Sequence, residues 1–228
     1  MMTTQTTHGT AEVMDAVKAG DADALRAVLA RDPAAADARA DGDSPLLMAL
    51  YTGRRDLAEL LVAHGRRPDA FEAAAFGDVD RLRALLDAEP GAVTRFAADG
   101  WTPLHLAGFF GHVDAMRLLL ERGADVRAVS INAMRNTPLH ATMAGPSGIT
   151  GARLLVEAGA DVNARQHGGY TALHAAAQHG AIDVIDLLLD HGADPDLPTD
   201  DGRRAVDLAR ERGHADAADH LVRRGASA

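Results

Sequence analysis

An all-α solenoid of about seven helix–turn–helix units, with short β-hairpin tips at their junctions, is the fold class this 228-residue sequence predicts. Three observations predict it. A TPLH or TALH motif recurs, with Thr102, Thr137 and Thr171 spaced by 35 and 34 residues. A leucine pair follows each copy at Leu119-Leu120, Leu154-Leu155 and Leu188-Leu189, and a GAD triplet follows each pair at Gly123, Gly159 and Gly192. Self-similarity at a period of about 33 residues marks units that cannot bury their apolar faces alone and must stack to form a core.

The clearest units are DGWTPLHLAGFFGHVDAMRLLLERGADV (99–126), NTPLHATMAGPSGITGARLLVEAGADV (136–162) and GYTALHAAAQHGAIDVIDLLLDHGADP (169–195). Weaker copies lie at 11–30, 44–65, 68–87 and 204–226. The units are thus read as 11–40, 41–66, 67–98, 99–133, 134–166, 167–199 and 200–226, after a flexible tail over 1–10. Each part of a unit has a physical reason. Threonine at the start of the first helix caps free N–H groups, and proline at the next position has no N–H to leave unpaired. Small residues such as Ala107, Ala176 and Ala177 let the two helices pack closely. Gly111 and Gly180 permit the tight turn between helices, and Gly123, Gly159 and Gly192 end the second helix in left-handed geometry. Leu119, Leu155 and Leu188 face the next unit.

Two departures from the period carry expectations. AGPSGITG (144–151) holds one extra residue, which predicts a shortened first helix and a wider turn in unit five. Ser44 and Pro68 are only 24 residues apart, so AHGRRPDAF (63–71) is read as joining two helices with no hairpin. The end units lack TPLH and carry more charge, as a capping repeat requires.

This ordered series of TPLH, a small-residue pair, Gly-His, a leucine pair and GAD resembles the ankyrin repeat, over nearly the whole chain. The resemblance implies a non-catalytic module that binds another protein through its concave face and hairpin tips. It also implies that His105, His140 and His174 fix helix starts and hairpins through hydrogen bonds to backbone. Spaced about 10 Å apart, as neighbouring packed helices are, these three cannot share an ion that needs ligands at about 2.0–2.1 Å.

Other chemistries find little support. With no cysteine, neither a disulfide nor a thiolate zinc site is available. His112, His179, His191 and His214 are read as turn residues without metal-ligand spacing, so no metal and no cofactor is expected. No phosphate-binding glycine loop is present, and Gly145-Pro146-Ser147-Gly148 reads as a turn rather than a nucleophile elbow. Asp41, Asp43, Asp200 and Asp201 fall in wet hairpin tips, where no apolar pocket raises a carboxyl for acid catalysis. A net charge of −10, from 23 basic and 33 acidic side chains, argues against nucleic acid, which demands clustered lysine and arginine. Apolar runs are too short to span a bilayer, and MMTTQTTHGT has no secretory pattern. A cytoplasmic protein is therefore expected. The abundance of Ala, Asp, Gly and Arg with a single lysine suggests a GC-rich, bacterial source.

The aromatics are the informative residues. In the ankyrin resemblance, partner contacts concentrate on the residue before the Thr of TPLH and on the two before the inter-helix glycine. Those slots hold Tyr51, Phe76, Trp101, Phe109, Phe110 and Tyr170, six of the eight aromatics, with His179 and Arg203 read as contacts in the polar rim around them. Arg54, His167, Gln178 and Arg212 are read as a polar rim. Trp and Tyr are the residue types enriched at interface hot spots. The competing reading is that large rings, excluded from a tightly packed interior, collect there and pack on one another, Phe76 beside Phe109. Phe71 is read as replacing the histidine of unit three, and Phe96 as uninformative. A monomer that binds a partner protein is the expectation; an isologous homodimer using the same stripe, or a small-ligand or enzymatic protein, is the alternative.

Overall fold

A computed structural model describes residues 3–37, 39, 43–146 and 148–227, with residues 3–8 described by backbone alone. The described residues form fourteen α-helices in seven antiparallel pairs. These are α1 (Thr3–Ala19) with α2 (Ala22–Arg31), α3 (Pro45–Tyr51) with α4 (Arg55–Ala63), and α5 (Ala70–Phe76) with α6 (Val79–Ala88). They continue as α7 (Pro103–Phe110) with α8 (Val113–Glu121), α9 (Pro138–Ala144) with α10 (Gly148–Glu157), α11 (Ala172–Gln178) with α12 (Ile182–Asp190), and α13 (Ala205–Glu211) with α14 (Ala215–Arg223).

The helices start where the sequence can satisfy their free N–H groups. Thr102 caps α7, and His105 completes a reciprocal box. His105 Nδ1 accepts from the Thr102 N–H at 3.3 Å and the Thr102 hydroxyl at 2.8 Å, which leaves Nε2–H to donate to the Asn136 carbonyl at 3.0 Å. His140 repeats the arrangement with Thr137 and reaches the Tyr170 carbonyl at 3.2 Å. His174 closes the same box with Thr171. Each histidine is buried, and burial lowers its pKa, in the case of His105 to about 4. The neutral ring is the form that can both accept and donate here.

Unit three performs the same task with other chemistry. Asp69 caps α5 and Glu72 returns the bond, so Glu72, not Phe71, stands in the histidine slot. The expected register slipped by one residue because no Thr-Pro marks the helix start. In unit seven only half of the box forms: Asp207 Oδ2 accepts from the Arg204 N–H at 2.9 Å, and the guanidinium, a donor only, cannot return the bond.

The hairpin-shaped tips are turns, and no extended strand forms among the described residues. Single bonds close them, from Ala97 N–H to Trp101 O, Ser130 to Asn136, Gln166 to Tyr170 and Thr199 to Arg203, all at 2.8–2.9 Å. Each tip is also bonded to the next, by Ile131 N–H to Gly100 O at 3.1 Å, His167 to Met134 at 2.8 Å and Asp200 to Gly168 at 2.9 Å.

Units two and three lack such a finger between them. The link over 64–69 runs directly from α4 to α5, as the short spacing predicts. Its Arg66 side chain, 4% exposed, pairs with the fully buried Glu72. Ser44 donates to the same carboxylate, and Arg39 approaches it at 3.2 Å.

Two expectations need correction. Helix α1 begins at Thr3, so most of the segment read as a tail is helical; Met1 and Met2 lie outside the described residues. Gly9 lets α1 approach the 3-10 turn at Pro33–Asp37, since a Cβ there would meet Asp32 Oδ2 at 2.8 Å. In unit five, α9 has seven residues, as do α5, α11 and α13. The first helix is therefore not shortened. Nor is the link to the second helix longer, since α10 begins four positions after α9 ends, as α12 does after α11; the extra residue lengthens α10 to ten residues against nine in α8 and α12, and Ser147 lies outside the described residues.

The core is a strip along the stack rather than a central ball. One apolar cluster runs from Val13 to Leu61 and reaches Ala75 and Leu106. A second runs from Ala70 to Ala226. They meet at α5 and α7, beside the gap in the finger row.

Candidate protein-contact face

The first helices and the fingers share one face, and the cap geometry decides which side chains reach it. The residue before each capping threonine leaves the finger just as the helix begins. The last residues of each first helix lie at its other end, where a left-handed glycine turns the chain in every unit but the fifth, whose Gly145 is extended. Gly111 adopts φ 81° at that point in unit four.

Four of the eight candidate residues meet there. Trp101 and Phe109 lie 5.1 Å apart between ring centres, and Phe109 and Phe110 also 5.1 Å. Tyr51 joins them from unit two, at 6.5 Å from Trp101, 5.9 Å from Phe109 and 5.3 Å from Phe110. It crosses unit three because α5 offers only Ala73, Ala74 and Ala75 below it, all fully buried. The Tyr51 hydroxyl donates to Asp99 Oδ2 at 2.6 Å. Partial burial, then that carboxylate, push its pKa up. Edge and tilted contacts of this kind stabilise by about 0.5–1.5 kcal/mol each beyond the area they bury. The cluster is therefore both a strap between units and a surface, for Tyr51 remains 41% exposed and the other three rings are half-buried.

The remaining candidates lie elsewhere. Phe76 makes no ring contact with Phe109 among the described residues; it sits under the Arg55 guanidinium, 4.5 Å from the ring centre. Tyr170 packs on His174 at 5.7 Å, and its hydroxyl accepts from Arg203 at 2.9 Å. Arg203 is further held by Asp201 at 2.7 Å and Glu211 at 3.0 Å. His179 is exposed at the end of α11, at the rim of a shallow hollow of about 220 Å³ that Met143, Ala176 and Val184 also line. The stripe read from the sequence is thus one aromatic cluster and three separate positions.

Sequence reasoning passed over the finger tips. Ile131 is 70% exposed and Met134 47%, on the finger bonded to the one that carries Trp101. Part of their signal was present: Met134-Arg135 stands where neighbouring tips carry Asp-Gly or Gly-Gly, and Ile131 opens a tip that is two residues longer than the one before it. Phe96, exposed on the approach to Trp101, belongs to the same surface.

Among the described residues no group of three or more His, Asp or Glu side chains could hold an ion. No helix of the described residues is long and apolar enough to cross a membrane.

Paired helices, Thr-His caps, linked fingers and a shared face define a class of repeat protein, and comparison with known sequences gives it its family. The profile described as "Ankyrin repeats (3 copies)" matches residues 70–166 and 143–228. The chain belongs to the ankyrin repeat family. It is 35% identical to the B-cell lymphoma 3 protein homolog of Mus musculus over 154 residues, 62% of this chain and 34% of that protein. It is 34% identical to the mouse ankyrin repeat and SAM domain-containing protein 6 over 135 residues, 55% of this chain and 15% of that protein. Over 76 residues it is 40% identical to the E3 ubiquitin-protein ligase XB3 of Oryza sativa, 33% of this chain and 16% of that protein. The chain thus spans about a third or less of the curated relatives it matches. Mouse and rice relatives lend nothing to the bacterial source read from composition.

Proposed function

We propose that this protein is a non-catalytic binding module that holds a partner protein against its finger and first-helix face. Ankyrin repeats in general mediate contacts between proteins. The observation that carries the reading for this chain is the Tyr51–Trp101–Phe109–Phe110 cluster, a partly open aromatic surface beside the exposed Ile131 and Met134. Large rings held rigid by their neighbours lose little freedom on binding and supply much area. Tyr170, Arg203, His179 and Phe76 fall outside the cluster and contribute at the margins. The net charge of −10 favours a partner with a basic surface, chiefly through association rate. A monomeric protein in a bacterial cytoplasm is part of this proposal and rests on composition alone.

The test is a comparison of baits in lysate. One bait is the native chain, one carries Trp101→Ala, Phe109→Ala and Phe110→Ala, and one carries Ile131→Ser and Met134→Ser. The last changes only exposed side chains and keeps the fold. A protein retained by the native bait and lost from both variants supports the reading. Equal retention by all three, each folded by circular dichroism, places the contact elsewhere. Light scattering on the native chain distinguishes self-association through the same face.

A further inference from the structure

We infer that the gap in the finger row is a docking notch for a basic side chain, an arginine or lysine next to a large apolar residue on an extended segment of the partner protein. The inference rests on the protein-contact reading above and narrows it to a chemistry. The fingers of units four to seven are bonded tip to tip, but the direct link over 64–69 leaves no finger before α5. The space so opened holds a groove of about 390 Å³. Leu47, Met48 and Phe71 form its apolar part, and Phe96 stands on the side of the next finger.

Charge selects the occupant. Among the described residues the groove carries Asp43, Asp69 and Asp99 against one cation, Arg39. Arg39 is bound to Asp69 and also lies 3.2 Å from buried Glu72, so its charge is matched within the protein. Asp43 and Asp99 are left as the anionic pair, one on the approach to α3 and one on the finger of unit four. Asp99 already accepts from the Tyr51 hydroxyl and the Trp101 N–H at 3.0 Å, yet a carboxylate keeps further lone pairs for a donor. Carboxylates in a groove that Tyr51, Phe71 and Phe96 also line suit a cation that uses both ion pairing and cation–π attraction. An acidic segment meets repulsion from the same groups, and a wholly apolar one leaves the carboxylates without a counterpart. The notch is continuous with the aromatic cluster through Tyr51, so one extended segment can engage both.

The probe is a synthetic peptide, acetyl-Gly-Phe-Arg-Phe-Gly-amide, titrated into the full ¹⁵N-labelled chain. The expected result is saturable amide shifts gathered on Leu47, Met48, Phe71 and Phe96–Asp99. Affinity should fall about five- to tenfold when citrulline replaces the arginine, or when the chain carries Asp43→Asn. A glutamate peptide should give no saturable shift. Equal shifts for the glutamate peptide, shifts that leave these residues unmoved, or no shift at millimolar peptide would overturn the inference. Because Asp43 is exposed, the Asn variant keeps the native spectrum and its effect is read directly. If the peptide fails while the baits discriminate, the notch is wrong and the contact face stands; if the peptide binds while the baits do not, the reverse holds.

Discussion

Glu72 is the residue whose environment is hardest to sustain. Its side chain is fully buried, and its charge is balanced by Arg66, also buried, with Ser44 and Arg39 completing its bonds. Breaking one side of such a pair strands the other charge in a poorly solvated place, at about 3–5 kcal/mol, whereas replacing both partners by apolar groups is often near neutral. Glu72→Gln should therefore shift the urea midpoint down far more than Glu72→Leu combined with Arg66→Met. The cap histidines give a second prediction. His105, His140 and His174 have pKa values lowered by burial, so between their folded values and about 6.5 the unfolded chain binds more protons. Their contribution is fully present above pH 6.5 and is lost progressively as pH falls below it, for His105 down to about 4. Each protonation site adds at most about 1.4 kcal/mol per pH unit to the slope. Urea denaturation at pH 7, 6 and 5 should show falling stability, and His105→Gln should flatten the decline.

At the scale of elements, the inter-helix turns at Gly77 and Gly180 are constrained twice. Gly77 has φ 84°, and a Cβ added there would lie 2.5 Å from Nδ1 of His112 in the next unit. Gly77→Ala should thus lose about 1 kcal/mol to backbone strain and more to the collision. Adding His112→Ala should restore only the collision part, which a double-mutant cycle in urea would separate. These elements were legible in the sequence wherever Thr-Pro, Gly-His and GAD mark both ends of a helix. They were less legible in unit three, where Asp69 and Glu72 replace Thr and His, and the candidate register slipped to Phe71. The helical stretch from Thr3 was missed because polar threonines hide a helix whose only close packing signal there is Gly9.

For the whole molecule, stacking makes neighbouring units share every apolar face, and the face left over carries the function. Composition and repeat slots brought Tyr51, Trp101, Phe109 and Phe110 to light. That the four rings touch one another was not legible, because Tyr51 reaches them only across the alanines of α5. Nor were Ile131 and Met134, whose exposure depends on how one finger leans on the next. If these residues form one protein-contact face, a bound partner slows their exchange. Hydrogen–deuterium exchange of the chain, alone and saturated with the protein captured by the native bait, should then slow in 96–111 and 129–135, with α8, α10 and α12 unchanged. Protection confined to those second helices, with the fingers exchanging as in the free chain, would contradict it.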